Sequence, residues 1–348
     1  MKTKKILSLL VVLSVIAQMF GLLPVVNAAG DIPSEVAVVD VSSLKDSYVT
    51  AGAFTNNGMV DVAAEMTTGY IVPKTVTAGT APSYNAELKR YEGNFASTGS
   101  VNYYRLPFDS AVRRDQISKS NKFTNGGYTI ESYFKIQNAA GANNGIFDAA
   151  FGGGFGFETT EAGNLAVYSR KNGAYIKNGS ATIALLPDTY YHIVATITPT
   201  QVLVYCNGEL KETVTTTEGD LYWPSNTKAP YGAVFGGNYS STDGKLSGRM
   251  DGNIVFGNVY NKPLSAEEVT ATYGDIVQRK TLTKVEELNT ALTNIATQQA
   301  TDFSEELEKL NIEGWSLMNN VGLTDAKINT YLAKVQGYTK KDFAFPLV

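Results

Sequence analysis

The sequence predicts an all-β sandwich followed by a small α-helical segment. From Glu35 to Tyr260, short strand-like runs alternate with turn residues, and after Pro263 the apolar residues recur at helical spacing. Many short strands separated by regular turns are typical of an antiparallel sandwich and not of βαβ units. The 348 residues are enough for one large all-β domain with a smaller segment beside it.

The strand signals are alternation and tight turns. The run YTIESYFKI begins at Tyr128 and alternates between two faces. The dipeptides Asn172-Gly173 and Asn207-Gly208 predict two hairpins, because Asn-Gly supplies the positive φ angles of a two-residue turn. These patterns predict consecutive antiparallel hairpins.

The helical signals begin after the last strand. Ser265 and Glu268 form a capping-box sequence, in which the serine caps the first turn and the glutamate reaches back. Thr283 and Glu286 form a second one. Helically spaced apolar residues follow at Val285, Leu288, Leu292 and Ile295. We therefore expect a sandwich domain over residues 29–274 and a helical bundle or linker over residues 275–340.

The first 28 residues are typical of a signal peptide. Lys2, Lys4 and Lys5 form a basic start, an apolar stretch follows, and Val26 and Ala28 occupy the small-residue positions of a cleavage site. An uncleaved membrane anchor is the alternative, because the apolar stretch is nearly long enough to span a bilayer. We expect cleavage and an extracellular bacterial protein, free or associated with the cell wall, that makes no membrane contact afterwards.

Charge and cysteine content narrow the function classes. The formal net charge is −4, and removal of the signal peptide with its three lysines makes it more negative. Nucleic-acid binding needs clustered Lys and Arg, which the sequence lacks, so we expect no nucleic-acid partner. Cys206 is the only cysteine, which excludes an intramolecular disulfide. On a strand with Val202 and Val204, it is expected to be a small apolar filler.

Three segments resemble the laminin-G-like, concanavalin A-like jelly-roll family: YYHIVATITPTQVLVYCNGELKE, AVFGGN and LSGRMDGNIVFGNVYNKPLSAEEV. Members show an aromatic-His-hydrophobic strand, a YVNG hairpin, a glycine-rich strand and a closing LS-x-EE helix. Here Met250 stands where the family usually has an aromatic residue, and Val259 stands before Tyr260 and Asn261. The resemblance implies a jelly roll in which Leu264 makes the first apolar contact of the closing helix.

A narrower resemblance concerns the segment that precedes the catalytic domain in secreted bacterial calcineurin-like metallophosphoesterases. It rests on APSYNAELKR, YWPSNTKAPYGAVFGGN, the closing helices and the last residues, KKDFAFPLV. In that family the final strand leads into an Asp-x-His motif that binds two metals, whereas the sequence stops at Val348, before any such motif. Residues 341–348 are therefore either the entry strand of a missing downstream domain or a tail packed on the sandwich.

No catalytic constellation is visible in the sequence. His192 is the only histidine, which excludes a two-histidine zinc motif, and its mid-strand position favours a structural role at a sandwich edge. Glycosidases on related jelly rolls use a Glu-x-Asp-x-x-Glu strand, whereas Glu131 is isolated in TIESYF. We therefore expect no catalytic residues and no enzymatic activity in this chain.

Carbohydrate binding needs aromatic faces beside planar polar groups, and two regions offer them. The candidate residues are Tyr168, Arg170, Tyr175, Tyr222, Trp223 and Tyr239. Arg170 is the most suggestive, because an arginine beside a tight hairpin turn is hard to bury. The alternative is that the aromatic residues fill the sandwich, which Pro224 after Trp223 favours.

A structural calcium ion is the one cofactor that the related folds imply. Asp148, Asp243 and Asp251 are the loop-adjacent carboxylates available for it, and calcium needs six to eight oxygen ligands. The alternative is that Asp243-Gly244 only makes a turn.

Three functions follow from these features. The first is a secreted, non-catalytic module that binds a glycan or cell-surface polymer. The second is the N-terminal accessory portion of a metallophosphoesterase, with a downstream catalytic domain as its partner. The third is a structural adhesion or spacer module without a small ligand.

Overall fold

The computed structural model confirms the predicted fold class, an antiparallel sandwich followed by helices. It describes residues 37–40, 83–95, 104–106, 126–138, 144–148, 155–171, 174–216, 233–239, 246–248, 250–260, 262–299, 304–319 and 322–342. The predicted signal peptide, residues 1–28, and the last part of the predicted tail, residues 343–348, lie outside these ranges. Within them, no helix has both the length and the hydropathy needed to cross a membrane.

Sixteen strands are described. In chain order they are β1 (Ala37–Asp40), β2 (Ser83–Asn85), β3 (Arg90–Phe95), β4 (Tyr104–Leu106), β5 (Tyr128–Asn138), β6 (Gly145–Asp148), β7 (Phe155–Thr159), β8 (Asn164–Lys171), β9 (Ala174–Ala184), β10 (Thr189–Ile197), β11 (Gln201–Cys206), β12 (Glu209–Thr215), β13 (Ala233–Phe235), β14 (Asn238–Tyr239), β15 (Leu246–Ser247) and β16 (Asp251–Tyr260). Asn207 and Gly208 join β11 to β12 with φ angles of 53° and 78°, which confirms the hairpin predicted there.

The strands form two main sheets. The larger sheet has the order β12-β11-β10-β5-β16-β3-β2, with β1 also paired to β16, and the second sheet has the order β4-β13-β6-β7-β8-β9. Strands β14 and β15 pair separately. The sequence neighbours β10, β11 and β12 pair directly, whereas β16 inserts between β5 and β3, so the closing strand completes the centre of the larger sheet.

The hydrophobic core lies between the two main sheets. Tyr128 of β5 contacts Phe155 of β7 across it, with ring centroids 6.1 Å apart, and Phe147 packs on Phe155 at 5.4 Å. All three rings are fully buried. Burying a large apolar side chain is worth about 1.5–3 kcal/mol, so such pairs hold the sheets together.

Four helices follow β16 in the described part of the chain: α1 (Ala266–Arg279), α2 (Val285–Gln299), α3 (Glu305–Asn319) and α4 (Asp325–Asp342). Helix α1 packs on the outer face of the larger sheet, where its Val269 joins a buried cluster with Val194 and Tyr205. Helices α2 to α4 enclose a second core that includes Leu292, Trp315 and other apolar residues.

The passage from β16 into α1, which we call the entry junction, has the predicted geometry. Glu268 N donates to Ser265 Oγ at 3.3 Å, and Ser265 N donates to Glu268 Oε2 at 2.8 Å, which confirms the capping box. Leu264 is 3% exposed. Its N–H donates to the Thr129 hydroxyl at 2.9 Å, and that hydroxyl donates to the Lys262 carbonyl at 2.9 Å.

The contacts between α1, the β2–β3 hairpin and the bundle form what we call the exit junction. Arg90 Nη2 of β3 lies 2.7 Å from Asp275 Oδ2 of α1, and Gly322 N donates to Asp275 Oδ1 at 2.7 Å. Arg279 Nε donates to the Lys89 carbonyl at 2.9 Å. The expected domain boundary at Gly274 falls inside α1, one residue before Asp275.

The second predicted capping box is wrong. The Thr283 hydroxyl donates to Asp325 Oδ2 at 2.7 Å, and the N–H groups of Thr283 and Lys284 donate to the same carboxylate at 3.0–3.1 Å. The free N–H groups before α2 are therefore bound by the first residue of α4. A carboxylate already present in the neighbouring helix takes the place of the local Glu286.

Candidate functional site

A polar row crosses the outer face of the second sheet, on the side away from the core. Asp148 of β6 pairs in register with Gly156 of β7, and Gly156 pairs with Tyr168 of β8. Because Phe155 and Phe157 point into the core and side chains alternate along a strand, Gly156 and Glu158 belong to the outer face. Gly156 has no side chain, so the side chains of Asp148 and Tyr168 approach each other over it from backbones two strand spacings, or about 10 Å, apart.

The polar groups in this row act on one another. Tyr168 makes a side-chain hydrogen bond with Glu158. Burial, followed by the charge and hydrogen bond of Glu158 and the charge of Asp148, raises the pKa of Tyr168. The phenol therefore keeps its proton and donates to the carboxylate. Asp148, Glu158 and Tyr168 are only 2%, 3% and 6% exposed, so the row is a buried polar cluster that fixes β8 against β7.

Of the residues predicted for carbohydrate binding, the structure places three on the β8–β9 hairpin. Tyr168 is too buried to offer a ring face to a sugar, so its part is to position the strand. Arg170 follows Tyr168 by two residues and pairs in register with Tyr175 of β9. The side chains of Arg170, Tyr175 and Tyr239 lie outside the described residues, as do Tyr222 and Trp223 entirely.

The three aspartates predicted for calcium are divided by the fold. Asp148 lies in β6 of the second sheet, whereas Asp251 begins β16 of the larger sheet, and Asp243 lies outside the described residues. Among the residues that the structure does describe, no group of three His, Cys, Asp or Glu side chains is placed to hold a metal ion. The described carboxylates alone thus do not fit a calcium site, and calcium binding stays a prediction.

The sequence did not predict the polar cluster beneath α1. Glu131 Oε1 lies 2.6 Å from His192 Nε2, and Tyr260 Oη donates to Glu131 Oε2 at 2.6 Å. The imidazole stacks on Tyr273 of α1, with ring centroids 5.7 Å apart and planes 15° apart. His192 is fully buried on β10, which lies between β5 and β11, so the expected edge position is wrong.

This cluster is structural. Glu131 looked isolated in the sequence because its partners are 61 and 129 residues away. The available signal was alternation: Glu131 lies between the outward residues Thr129 and Tyr133, and His192 lies between Tyr190 and Val194, so each has only apolar or hydroxylated outward neighbours on its own strand. Both carboxylate oxygens of Glu131 are hydrogen-bonded, as a buried carboxylate requires, whereas His192 Nδ1 is buried with no hydrogen-bond partner among the described residues.

Cys206 is buried, and burial raises the pKa of its thiol. It joins the core cluster with Val202 and Val204. A protonated, buried thiol has little nucleophilicity, which agrees with the apolar role expected from the sequence.

The comparisons with known proteins agree with this architecture. Residues 111–270 match the family model described as the concanavalin A-like lectin/glucanases superfamily. The sandwich is a concanavalin A-like jelly roll. The matched segment of the jelly roll ends within α1, so the bundle lies beyond it. No curated protein matches the chain.

Several solved structures are similar to the jelly roll at low identity. One is a leech intramolecular trans-sialidase complexed with 2,7-anhydro-Neu5Ac (19% identity, TM-score 0.38), of which the match covers 53% of this chain but 27% of the sialidase. Another is domain 4 of an extracellular arabinanase from Geobacillus stearothermophilus with arabinotriose (16% identity, TM-score 0.38, 56% and 82% covered). A third is a heptameric SAP-like pentraxin from Limulus polyphemus (15% identity, TM-score 0.35, 53% and 81% covered).

Proposed function

We propose that this chain is a secreted, non-catalytic module that binds a glycan or cell-surface polymer through the outer face of the second sheet at the β8–β9 hairpin. The match of residues 111–270 to a lectin and glucanase superfamily supports carbohydrate as the ligand class. A fold alone does not supply a function, so the proposal depends on what this face presents.

The observation that carries the proposal is the anchored strand β8. Tyr168 is held by Glu158 and lies beside Asp148, although outward positions of a sheet are usually solvated. Two residues further, Arg170 pairs with Tyr175. A guanidinium offers several N–H donors to hydroxyl groups, and an aromatic ring offers an apolar face with a polar tip. Because the β8 backbone is already held in place at Tyr168, ligand binding at these two positions does not have to order that strand.

The burial of the carboxylates on this face favours glycan binding over glycan hydrolysis. Glycoside hydrolysis needs two carboxyl groups that flank the scissile bond and reach it. Asp148 and Glu158 are at most 3% exposed, and Glu158 is engaged by Tyr168. We therefore assign them to holding the strand.

The test is isothermal titration of the full chain with a panel of neutral tetrasaccharides: cello-, xylo-, mannotetraose and arabinotetraose. Arg170→Ala and Tyr175→Ala should each weaken binding about tenfold, the effect of losing one good hydrogen bond or stacking contact, at unchanged melting temperature. Glu161→Ala, on the exposed β7–β8 turn, is the matched control. Unchanged affinity in both hairpin variants would move the site elsewhere, and release of shorter sugars would contradict the non-catalytic assignment.

A rigid spacer is the second candidate, and the exit junction favours it. Arg90 and Asp275 are buried between sandwich and bundle, which ties the two parts into one body. A chain that binds no member of the panel yet unfolds in a single transition would support the spacer. The accessory role beside a metallophosphoesterase stays a prediction, because the last residues that motivate it, 343–348, lie outside the described residues.

A further inference from the structure

The outer face of the larger sheet carries a second polar row, at the end that α1 leaves open. Tyr190 of β10 pairs in register with Lys135 of β5, Lys135 pairs with Asn253 of β16, and Asn253 pairs with Asn94 of β3. With strands about 4.8 Å apart, the row is about 14 Å long. Tyr190 and Lys135 are half-buried, and Asn94 is exposed. The row therefore reaches solvent along much of its length.

The ring of Tyr190 is held in a fixed orientation within this row. Its hydroxyl donates to Glu92 Oε2 and accepts a hydrogen bond from Asn85 Nδ2 at 3.1 Å. Its ring packs on Tyr133, with centroids 5.4 Å apart. Burial first, and then the hydrogen bond and charge of Glu92, raise the pKa of Tyr190, so the hydroxyl stays protonated. The aromatic element of the row is therefore rigid before any ligand arrives.

The charges in this row are local and of both signs. The ammonium group of Lys135 lies 5.2 Å from the centroid of the Tyr190 ring, a cation–π arrangement. The carboxylate of Glu92, at 8% residue exposure, is bound at the other end of the same tyrosine. One cation and one carboxylate around a single ring give no net charge, which favours a neutral ligand over an anionic one.

Asn253 is the feature that no structural role explains. It is 7% exposed, yet its side-chain amide makes no hydrogen bond to another described residue. Its amide atoms are not among the fully buried polar atoms that lack a partner, so the two donors and the acceptor of the amide keep contact with solvent and are open to a ligand. The amide lies in the middle of the row, between Lys135 and Asn94.

We propose that this row is a second carbohydrate-binding surface, which takes a neutral oligosaccharide across β10, β5, β16 and β3. Asn253 and Lys135 bind sugar hydroxyl groups, and the preset edge of Tyr190 contacts the sugar ring. A row of about 14 Å exceeds one sugar ring, so the ligand is a chain of several. The inference rests on the proposed glycan-binding function, but it uses the opposite sheet. The chain then binds glycan on both outer faces.

The experiment is the same titration of the full chain with the four neutral tetrasaccharides, now read for stoichiometry. Wild type should bind two molecules per chain. Asn253→Ala and Lys135→Ala should each lower the stoichiometry to one or weaken one of the two binding events about tenfold. Gln137→Ala, exposed two residues from Lys135 on the same strand, is the control and should behave as wild type.

The outcomes separate the two proposals. A stoichiometry of one that Asn253→Ala and Lys135→Ala leave unchanged, and that Arg170→Ala abolishes, overturns this inference and keeps the proposed function. The reverse pattern keeps this surface and overturns the β8–β9 site. Absence of binding to all four tetrasaccharides overturns both. Melting temperatures of each variant identify a folding defect, and Lys135→Ala, at a half-buried position, decides the matter if Asn253→Ala does not fold.

Discussion

The entry and exit junctions each attach one end of α1 to the rest of the molecule, but they use different interactions. At the entry junction, the capping box of Ser265 and Glu268, the Thr129 hydroxyl and the buried Leu264 fix the start of the helix. At the exit junction, charged side chains from β3 and α1 are buried against the bundle. The capping box depends on local sequence, whereas the Thr129 contact and the charges of the exit junction come together only after folding.

The exit junction contains more buried positive than negative charge. Arg279 is 1% exposed and Arg90 is 7% exposed, with Asp275 as the carboxylate between them. Burial first, and then the nearby charge of Arg90, lower the pKa of Arg279 well below its ordinary value, and Asp275 opposes this. Asp275 is therefore the residue on which the junction depends most.

The largest effect is expected from Asp275→Ala. The substitution removes the carboxylate that pairs with the buried guanidinium group of Arg90, and it removes the acceptor of Gly322 N. Removal of one partner from a buried ion pair costs about 3–5 kcal/mol. Denaturant unfolding of the full chain measures this loss, and Glu306→Ala, exposed on α3, should show almost none.

Replacement of both partners tests the reason for that loss. The double variant Arg90→Met/Asp275→Leu removes both partners of the buried ion pair, so the charge of Arg90 is no longer left unpaired, and part of the stability should be recovered. A loss below about 1 kcal/mol for Asp275→Ala alone would show that the pair does not hold the exit junction.

Leu264→Ala at the entry junction is expected to cause the next largest loss of stability after Asp275→Ala. Leu264 is 3% exposed and packs with Val194, Tyr205 and Val269. Truncation of a buried leucine costs about 2–5 kcal/mol through lost burial and the cavity that remains. Thermal unfolding should show a clearly lower melting temperature. A change within error would mean that the first turn of α1 is not docked on the sheet.

The contrast between the junctions explains what the sequence could predict. Ser265 and Glu268 are three residues apart, and Asn207-Gly208 is a dipeptide, so their patterns are complete in the sequence. Asp325 and Thr283 are 42 residues apart, and Glu131 and His192 are 61 apart. Their pairing depends on how helices and strands pack, which local propensity does not encode.

The candidate site follows the same rule. Tyr168, Arg170 and Tyr175 were predicted together because the hairpin places them close in sequence. Glu158, which binds Tyr168, was missed because strand register decides the contact. Asn253 and Lys135 were missed for the same reason, since β5 and β16 are neighbours only in the folded sheet.

A smaller effect is expected at the start of α2. Asp325→Ala removes the carboxylate that binds the N–H groups of Thr283 and Lys284, and loss of a cap costs about 1 kcal/mol. Partial burial raises the pKa of Asp325, but the hydrogen bonds from Thr283 and Lys284 outweigh it and hold the pKa below its ordinary value. The folded pKa is depressed, so this stability is present above the unfolded pKa and is lost as pH falls through the folded one.

The pH dependence sharpens this prediction. Wild type and Asp325→Ala should differ in unfolding free energy at neutral pH and should converge in acid. Leu264→Ala, which removes an apolar side chain at the entry junction, should show a difference that this pH range leaves unchanged. Equal pH dependence of the two variants would contradict the assignment of Asp325 as the cap of α2.

The smallest effect is expected from Lys262→Ala at the turn before Pro263. Its side chain is 26% exposed and lies 2.7 Å from Glu268 Oε1. A partly exposed ion pair is worth about 0–1 kcal/mol. Glu268 keeps its bond to Ser265 N, and the Lys262 carbonyl that Thr129 binds belongs to the backbone. Lys262→Ala should therefore lower the melting temperature slightly, far less than Leu264→Ala.

The glycan affinity of Lys262→Ala should equal that of wild type, since Lys262 belongs to neither proposed surface. Weaker glycan binding at unchanged stability would instead place a sugar contact at the entry junction.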